Sequence, residues 1–513
     1  MPTAGLYNAA DTLITGNISR GNAQRTAVID AAGSYTYADL AQRVSRFANT
    51  LERSGIQMEQ RVVLCLHDSV DFPTCFLGAI KAGVVPVPAN TLLTPQDYEY
   101  LLADSRARAL VVSAALLDRF RPILGTARYL RKIFVAGAET HEYESLEAAM
   151  DKAGDNHVAA DTRPDDVAFW LYTSGTTGRP KAAMHVHTSL AETARCFGQG
   201  VLGIHAGDII FSAAKLFFAY GLGNALTFPF SVGATTVLLA GRPTPEAVIA
   251  ILRNYRPTVF FGVPTLYAMM LNEDLVPEPE GSRLRLCVSA GEALPEALFL
   301  RWLKRTGMEI VDAVGSTEML HMFMSNRPGE ARAGSSGKPL QGFEAQILDE
   351  NGRQVPDGEV GDLFVKGPTC AVGYWNQREL SRQTFRGDWV RTGDKFARND
   401  DGGYRHCGRG DDLLKVGGIY VSPTEVENAL LLHDAVAEAA VVGSKDADGL
   451  VKPKAFVVLA AGIAPAQALE QELITHVRHQ LAEYKRPRWI EFIGELPKTA
   501  TGKIQRFKLR QSQ

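Results

Sequence analysis

The sequence predicts an α/β protein: a large N-terminal domain of mixed, mostly parallel sheets flanked by helices, with a β-rich subregion, followed by a small α+β C-terminal domain. Two observations carry this. Short apolar, β-branched runs alternate with longer amphipathic stretches over most of the length, the rhythm of strand and crossover helix. The texture then changes twice, first near residue 340, where strands are broken by Gly turns (DENGRQVPDGEVGDLFVKG), and again after Gly408-Arg-Gly-Asp-Asp412. With 513 residues and about 100 to 200 residues per domain, one compact core is excluded. The expected plan is a domain over 1–410 and a second over 411–513, of ordinary small-domain size.

Taken in chain order, strands are predicted at Arg61 to Leu66, Ala109 to Ser113, Ile209 to Phe211, Thr236 to Leu239, Thr258 to Gly262 and Leu284 to Ser289. Between them, Thr244 to Tyr255 and Pro295 to Thr306 have helical spacing, the first opening with Thr244 as N-cap and Pro245 at the first helical position. Beyond residue 411 the runs AVVG and AFVVLA read as strands of the small domain.

Composition excludes several classes. The 54 Lys and Arg nearly balance 57 Asp and Glu, a net charge of −3, so no strong field points to nucleic acid or a membrane surface. Hydrophobic residues make up 46% and glycines number 47, which supplies a buried core and many tight turns. The six cysteines (Cys65, Cys75, Cys196, Cys287, Cys370 and Cys407) have no zinc-type spacing, which suits a reducing cytoplasm. The first residues lack a secretory pattern and no run reaches 18 apolar residues, so a soluble, cytoplasmic protein is expected. A homodimer is compatible with the sequence but not dictated by it.

The most informative segment is Tyr172-Thr-Ser-Gly-Thr-Thr-Gly-Arg-Pro-Lys181. The amides and hydroxyls of Thr173, Ser174, Gly175, Thr176, Thr177 and Gly178 form a loop suited to a phosphate chain, and Lys181 adds positive charge. It lacks the Gly-x4-Gly-Lys-Ser/Thr spacing of a Walker A loop. Alone it reads more readily as a flexible surface turn, and the case for phosphate binding rests on the other motifs. Further motifs follow in order: Ser289-Ala-Gly-Glu292, Asp312-Ala-Val-Gly-Ser-Thr-Glu318, Arg391-Thr-Gly-Asp394, Gly408-Arg-Gly-Asp411 and Pro497-Lys-Thr-Ala-Thr-Gly-Lys503.

On these motifs the chain resembles the adenylate-forming superfamily of acyl-CoA synthetases, adenylation domains and luciferases, over nearly its whole length. The resemblance implies ATP, Mg²⁺ and coenzyme A. It implies that Thr317 contacts the α-phosphate, Glu318 holds Mg²⁺, and Asp312 accepts from the adenine amino group. Ala290, Gly291 and Glu292 line the other side of the base, beside Ala313, Val314, Gly315 and Ser316. Many relatives carry a stacking aromatic residue where this chain has Val314. Asp394 takes the ribose hydroxyls and Arg409 adds a ribose or phosphate contact. Lys503 bridges the attacking carboxylate and the α-phosphate, and the small domain is mobile, rotating about Asp411. The rotated face, Lys415, Gly417, Gly418, Ile419 and Tyr420, forms a pantetheine tunnel for the CoA thiol.

Ala213 to Asn224 and Gly315 to His321 are similar to the benzoate and hydroxybenzoate CoA ligases, including the aromatic run before Gly221. Phe218, Ala219, Tyr220, Gly221, Ala290, Gly291 and Val314 are expected to form a flat apolar slot for a planar ring, with His321 at its end as a polar contact or a wall. Tyr220 and His321 are each able to bond a ring hydroxyl. The expected activity is thus an ATP-dependent ligase joining benzoate, or a hydroxy- or aminobenzoate, to CoA through an aryl-adenylate. The alternatives are a stand-alone adenylation enzyme loading a carrier protein, and an inactive nucleotide-binding scaffold.

Overall fold

A computed structural model describes residues 5–138, 141–173, 179–278, 282–410, 414–416, 419–446, 450–498 and 504–511, with backbone alone at Lys415, Ile419, Tyr420 and Tyr484. Two large sheets dominate. One has five parallel strands in the order Val85–Pro88, Arg61–Cys65, Ala109–Ser113, Lys132–Ala136, Glu144–Ser145. Its central strands are apolar except at their ends, where Arg61, Ser113 and Lys132 stand, because both faces are covered, as parallel sheets require. Val62, Leu64 and Val111 pack under the helices Tyr37–Arg53 and Asp71–Lys81. Val63, Cys65, Leu110 and Val112 pack under Pro95–Ser105 and Leu117–Leu124.

The second sheet has nine strands: Lys338–Pro339, Met322–Ser325, Ile310–Gly315, Leu286–Ser289, Val259–Gly262, Ile209–Ser212, Thr235–Val237, Thr26–Asp30 and Gly33–Thr36. The six from Ile310–Gly315 to Thr26–Asp30 run parallel, and the outer strands are antiparallel. Here too alternate residues divide between two cores, Val259, Phe261 and Val288 to one and Phe260 and Cys287 to the other. The helix Pro245–Tyr255 is capped by Thr244, whose hydroxyl accepts from the Ala247 amide, and Glu296–Thr306 begins after Pro295. The strand predicted at Thr236 to Leu239 starts one residue earlier and ends two earlier, at Thr235–Val237, before the chain turns away.

A three-stranded antiparallel sheet joins Val167–Thr173, Lys181–Val186 and Gly373–Tyr374, and an antiparallel sheet from residue 344 to 409 is the β-rich subregion. Past residue 414, Val436–Lys445, Val451–Leu459 and Trp489–Phe492 form a sheet with helices Pro423–Leu431 and Gln467–Gln480. The hydrophobic clusters there draw on no described residue before 410. All six cysteines are unpaired. Among the described residues no helix is long and apolar enough to cross a membrane.

At the entry of the Ile209–Ser212 strand, the buried Asp208 carboxylate gathers a bond from Arg285 (2.7 Å), one from the Thr258 hydroxyl (2.6 Å) and one from the His205 amide (3.0 Å). Arg285 also donates to the carbonyls of Leu202 and Gly203. Burial pushes the Asp208 carboxyl up, but the bonds from Arg285, Thr258 and His205 outweigh it and hold it below its ordinary value. Its contribution to stability is present above the unfolded-state value and is lost as pH falls through the folded one. Asp208→Asn is therefore expected to cost about 3 kcal/mol at pH 7 by stranding Arg285. Thermal unfolding checks this: the gap between variant and parent should be wide at pH 7 and narrow below about pH 4. A gap independent of pH would contradict the assignment.

Candidate active site

The carboxyl ends of four neighbouring parallel strands lie side by side: Ser212 is registered with Phe261, Gly262 with Ser289, and Ser289 with Asp312. Ligands of open α/β sheets bind outside such strand ends. Asp312 is 7% exposed, and burial pushes its carboxyl well above the usual range. Its Oδ1 has no hydrogen-bond partner among the described residues. A buried acceptor without a donor is costly, and an exocyclic amino group of a purine fits that vacancy chemically. Gly291 has φ +89 with open space where a Cβ would stand, so the backbone bends there in a conformation other residues resist. Ala290 is buried, Glu292 accepts from the Thr265 hydroxyl at 3.0 Å, and Ala313 is buried. Val314 is half-buried against the core and paired with Met324 across the strand.

After Gly315 the chain makes a tight reversal instead of a long helix. Ser316 caps a single turn of 3-10 helix, Thr317–Met319, its hydroxyl accepting from the Met319 amide. Leu320 then takes φ +64, costing about 1 to 3 kcal/mol for a non-glycine residue, and the Ser316 amide donates to the His321 carbonyl. Neighbouring elements grip this turn. His185 Nε2, on the Lys181–Val186 strand, donates to the Thr317 carbonyl at 2.9 Å. The ring stacks on Phe169, and burial lowers its pKa to about 4. The Thr369 hydroxyl donates to Met319 O, and the Ala371 amide to Glu318 O.

Glu318 Oε1 accepts from the Tyr374 hydroxyl at 2.5 Å and lies 3.5 Å from Lys181 Nζ. Lys181 itself donates to the Tyr374 oxygen at 2.7 Å and sits 4.2 Å from the ring centroid. Lys181 is thus tied to the carboxylate and not presented as a free charge. No group of three or more metal-binding side chains exists among the described residues. That suits Mg²⁺, which is usually bound through one or two carboxylates together with substrate phosphates, so the single oxygen donor Glu318 fits. Asp394, registered opposite Arg409, accepts from it at 3.1 Å and has His406 at 3.8 Å. Burial pushes this carboxyl up, but the nearby His406 ring and the Arg409 charge bring it below its ordinary value. It stays ionised and able to accept further hydroxyl bonds.

The aryl-slot residues begin at Phe218, which packs on Phe217 and precedes a helix that runs α over Ala219–Leu222, π over Gly223–Thr227 and α over Phe228–Val232. A π turn is rare and often marks a site. Gly221 is required by close approach: a Cβ there would lie 2.1 Å from the Lys215 carbonyl. The Tyr220 hydroxyl donates to the carbonyls of Gly262 (3.2 Å) and Val288 (3.4 Å), the strand ends themselves. His321 is 1% exposed; its Nε2 faces Tyr220 O (3.1 Å) and Asn224 Oδ1 (3.2 Å), between Phe197, Tyr220 and Phe228. Burial holds its pKa near 3. The sequence reading offered both residues to a ring hydroxyl; the structure spends the Tyr220 hydroxyl and His321 Nε2 on the protein, while the buried His321 Nδ1 has no hydrogen-bond partner among the described residues.

Thr173 ends its strand opposite Lys181; in the sequence between them stand Ser174, Gly175, Thr176, Thr177 and Gly178. Those five residues, with Asp411, Gly417, Gly418 and Lys503, lie outside the described residues, as do the side chains of Lys415, Ile419 and Tyr420. The strands Leu414–Val416 and Ile419–Val421 pair, with Lys415 opposite Tyr420. Sequence reasoning missed Tyr374, His185 and Asn224. His185 carried a faint signal, an inward position in an alternating strand; Tyr374 carried none, since only the pairing of its strand with Lys181–Val186 brings it to Glu318.

Residues 17–375 match the AMP-binding enzyme family, and 425–503 match the AMP-binding enzyme C-terminal domain. The chain is 54% identical to a benzoate–CoA ligase of Thauera aromatica, covering 98% of this chain and 96% of that protein. It is 47% identical to a 4-hydroxybenzoate–CoA/benzoate–CoA ligase of Rhodopseudomonas palustris, covering 98% and 94%. A crystal structure of a benzoate CoA ligase from Burkholderia xenovorans LB400 superposes with a TM-score of 0.92 at 51% identity, covering 98% of this chain and 100% of that one. With its strand-end crevice, buried acceptor and two matched segments, the chain belongs to the AMP-binding enzyme family, the adenylate-forming enzymes.

Proposed function

We propose that this chain is an ATP- and Mg²⁺-dependent aryl-CoA ligase whose preferred acid is benzoate. It joins the carboxylate to the α-phosphate of ATP, releasing pyrophosphate, and then transfers the aryl group to the CoA thiol, releasing AMP. The observation that carries the choice of acid is the state of the slot: the Tyr220 hydroxyl and His321 Nε2, its two candidate donors, are consumed by protein acceptors. An apolar slot of this kind prefers the bare ring but rejects an added hydroxyl only about 10²-fold, whereas a site built to bond it discriminates by 10⁴ or more. The names of the relatives, which span benzoate and 4-hydroxybenzoate, agree with such a slot.

The chemistry needs no general base, because the acid is already ionised at neutral pH. The difficulty is charge: a carboxylate must approach an anionic phosphate. Thr317 positions the α-phosphate. Glu318 holds Mg²⁺, which when bound offsets phosphate charge, and Tyr374 orients that carboxylate. Asp312 accepts the adenine amino group, Asp394 the ribose hydroxyls. Arg409 adds a ribose or phosphate contact, and the loop from Thr173 to Gly178 wraps the phosphates. Lys503 completes the charge balance between carboxylate and phosphate. The division into 1–410 and 411–513, with rotation about Asp411 to present Lys415 to Tyr420 to the CoA thiol, accounts for two partners using one site in turn. The separate cores on the two sides of that boundary support it. The net charge of −3 supports small-molecule work in the cytoplasm over binding to nucleic acid or membranes.

Three outcomes are expected. With ATP and Mg²⁺, benzoate should yield AMP and benzoyl-CoA by mass, with 2-, 3- and 4-hydroxybenzoates and aminobenzoates turned over at lower kcat/KM. Adenylate formation without transfer to CoA would point to carrier loading, and no turnover to a scaffold. Lys503→Ala should lower the rate of benzoyl-adenylate formation by about 10² to 10³; a near-parental rate would remove that residue from the mechanism. Asp312→Ala should raise KM for ATP by roughly tenfold while leaving KM for benzoate near its parental value, and equal effects on both would show that Asp312 does not read the nucleotide.

A further inference from the structure

The aryl slot stands on a turn, Ala213 to Phe218, that lies between the two large sheets, and a buried ion pair grips this turn from behind. Asp68 follows the carboxyl end of the Arg61–Cys65 strand, and its side chain is 4% exposed. Oδ1 accepts the Leu216 amide at 3.3 Å, and Oδ2 lies 4.0 Å from Lys215 Nζ. Lys215 reaches the other sheet: Nζ donates to the Leu239 carbonyl and, at 2.6 Å, to that of Gly241, just past the Thr235–Val237 strand. Neither charge belongs to the nucleotide site.

A buried pair is costly to desolvate and is often no better for stability than packed hydrophobic residues. Its effect here is to hold backbone. The turn has little slack: the Phe218 amide donates to the Lys215 carbonyl at 3.0 Å, and the bare Cα of Gly221 packs against the same carbonyl. The residues between, Phe218 to Tyr220, are those assigned to the slot, and the Tyr220 hydroxyl is anchored on Gly262 and Val288. A shift at Lys215 therefore passes to Tyr220 through a closed turn. Burial raises Asp68 to about 6, partly offset by Lys215 and the Leu216 amide, in keeping with a carboxylate held by few partners.

We propose that Asp68 and Lys215 are positioning residues for the aryl acid: together they set the depth of the slot between Tyr220 and the strand ends, and thereby the affinity for the aryl carboxylate. This rests on the aryl-acid reading above. The test uses the full chain as Asp68→Asn, Lys215→Met and the double variant, with steady-state KM for benzoate and ATP and thermal unfolding. Each single variant should raise KM for benzoate by about tenfold or more with KM for ATP within about twofold, and should lower the unfolding midpoint. The double variant leaves no stranded charge, so its midpoint should recover, while its KM for benzoate stays raised. Recovery of both midpoint and KM would make the pair purely structural and overturn the proposal, as would an equal rise in KM for ATP. Unchanged KM values in a chain that turns over benzoate overturn the proposal alone. No aryl-acid turnover by the parental chain overturns the functional reading and the proposal with it.

Discussion

Buried carbonyls at the ends of parallel strands shape this site. A parallel sheet satisfies its interior through its ladders, but at the carboxyl edge the last carbonyls point into the crevice and each needs a donor. Tyr220 supplies one to Gly262 and Val288. Beyond the strand ends, His321 donates to the Tyr220 carbonyl in the adjoining helix, and His185 to that of Thr317 in the 3-10 turn. These three side chains, drawn from a helix start, a strained reversal and a strand of another sheet, are locked by what they cap. The helix start at Ala219 and the Thr317–Met319 turn inherit that rigidity, which is what a site needs when small displacements cost rate.

Electrostatically the site handles charge one partner at a time. Two of its carboxylates are held by cations or by bonds: Asp394 by Arg409 and His406, Glu318 by Lys181 and Tyr374. Asp312 is the exception, buried with an oxygen that no described residue satisfies. That contrast divides the roles, since a satisfied carboxylate orients and an unsatisfied one awaits a donor. The balanced overall charge of −3 fits the same picture, because local cations act where a diffuse field would attract every anion.

Much of the fold was legible in the sequence. The runs RVVLC, ALVVS and VFFG became strands within a residue of their predicted limits, because double-sided burial leaves an uninterrupted apolar run between turn residues. Thr244 and Pro245 announced a helix through capping chemistry that is local. The motifs proposed for nucleotide binding were likewise contiguous, so the resemblance was visible without any knowledge of pairing. Tyr374 stayed invisible because its part in the site comes from lying beside Lys181–Val186, a strand far away in the chain. Asp68 and Lys215 were equally silent, since each is an ordinary surface residue type until two sheets enclose it.

By itself, then, the sequence determined several strands and helices, the α/β class and the family, and offered contiguous motifs as candidates for nucleotide binding, all of which depend on neighbours within a few residues. Only the tertiary structure decided whether a donor is free or spent. Tyr220 and His321 read from sequence as two groups available to a ring hydroxyl; in the fold, strand-end carbonyls and Asn224 claim them first. The physical reason is that hydrogen-bond capacity is finite and is allotted by burial, and burial is set by which strands lie side by side.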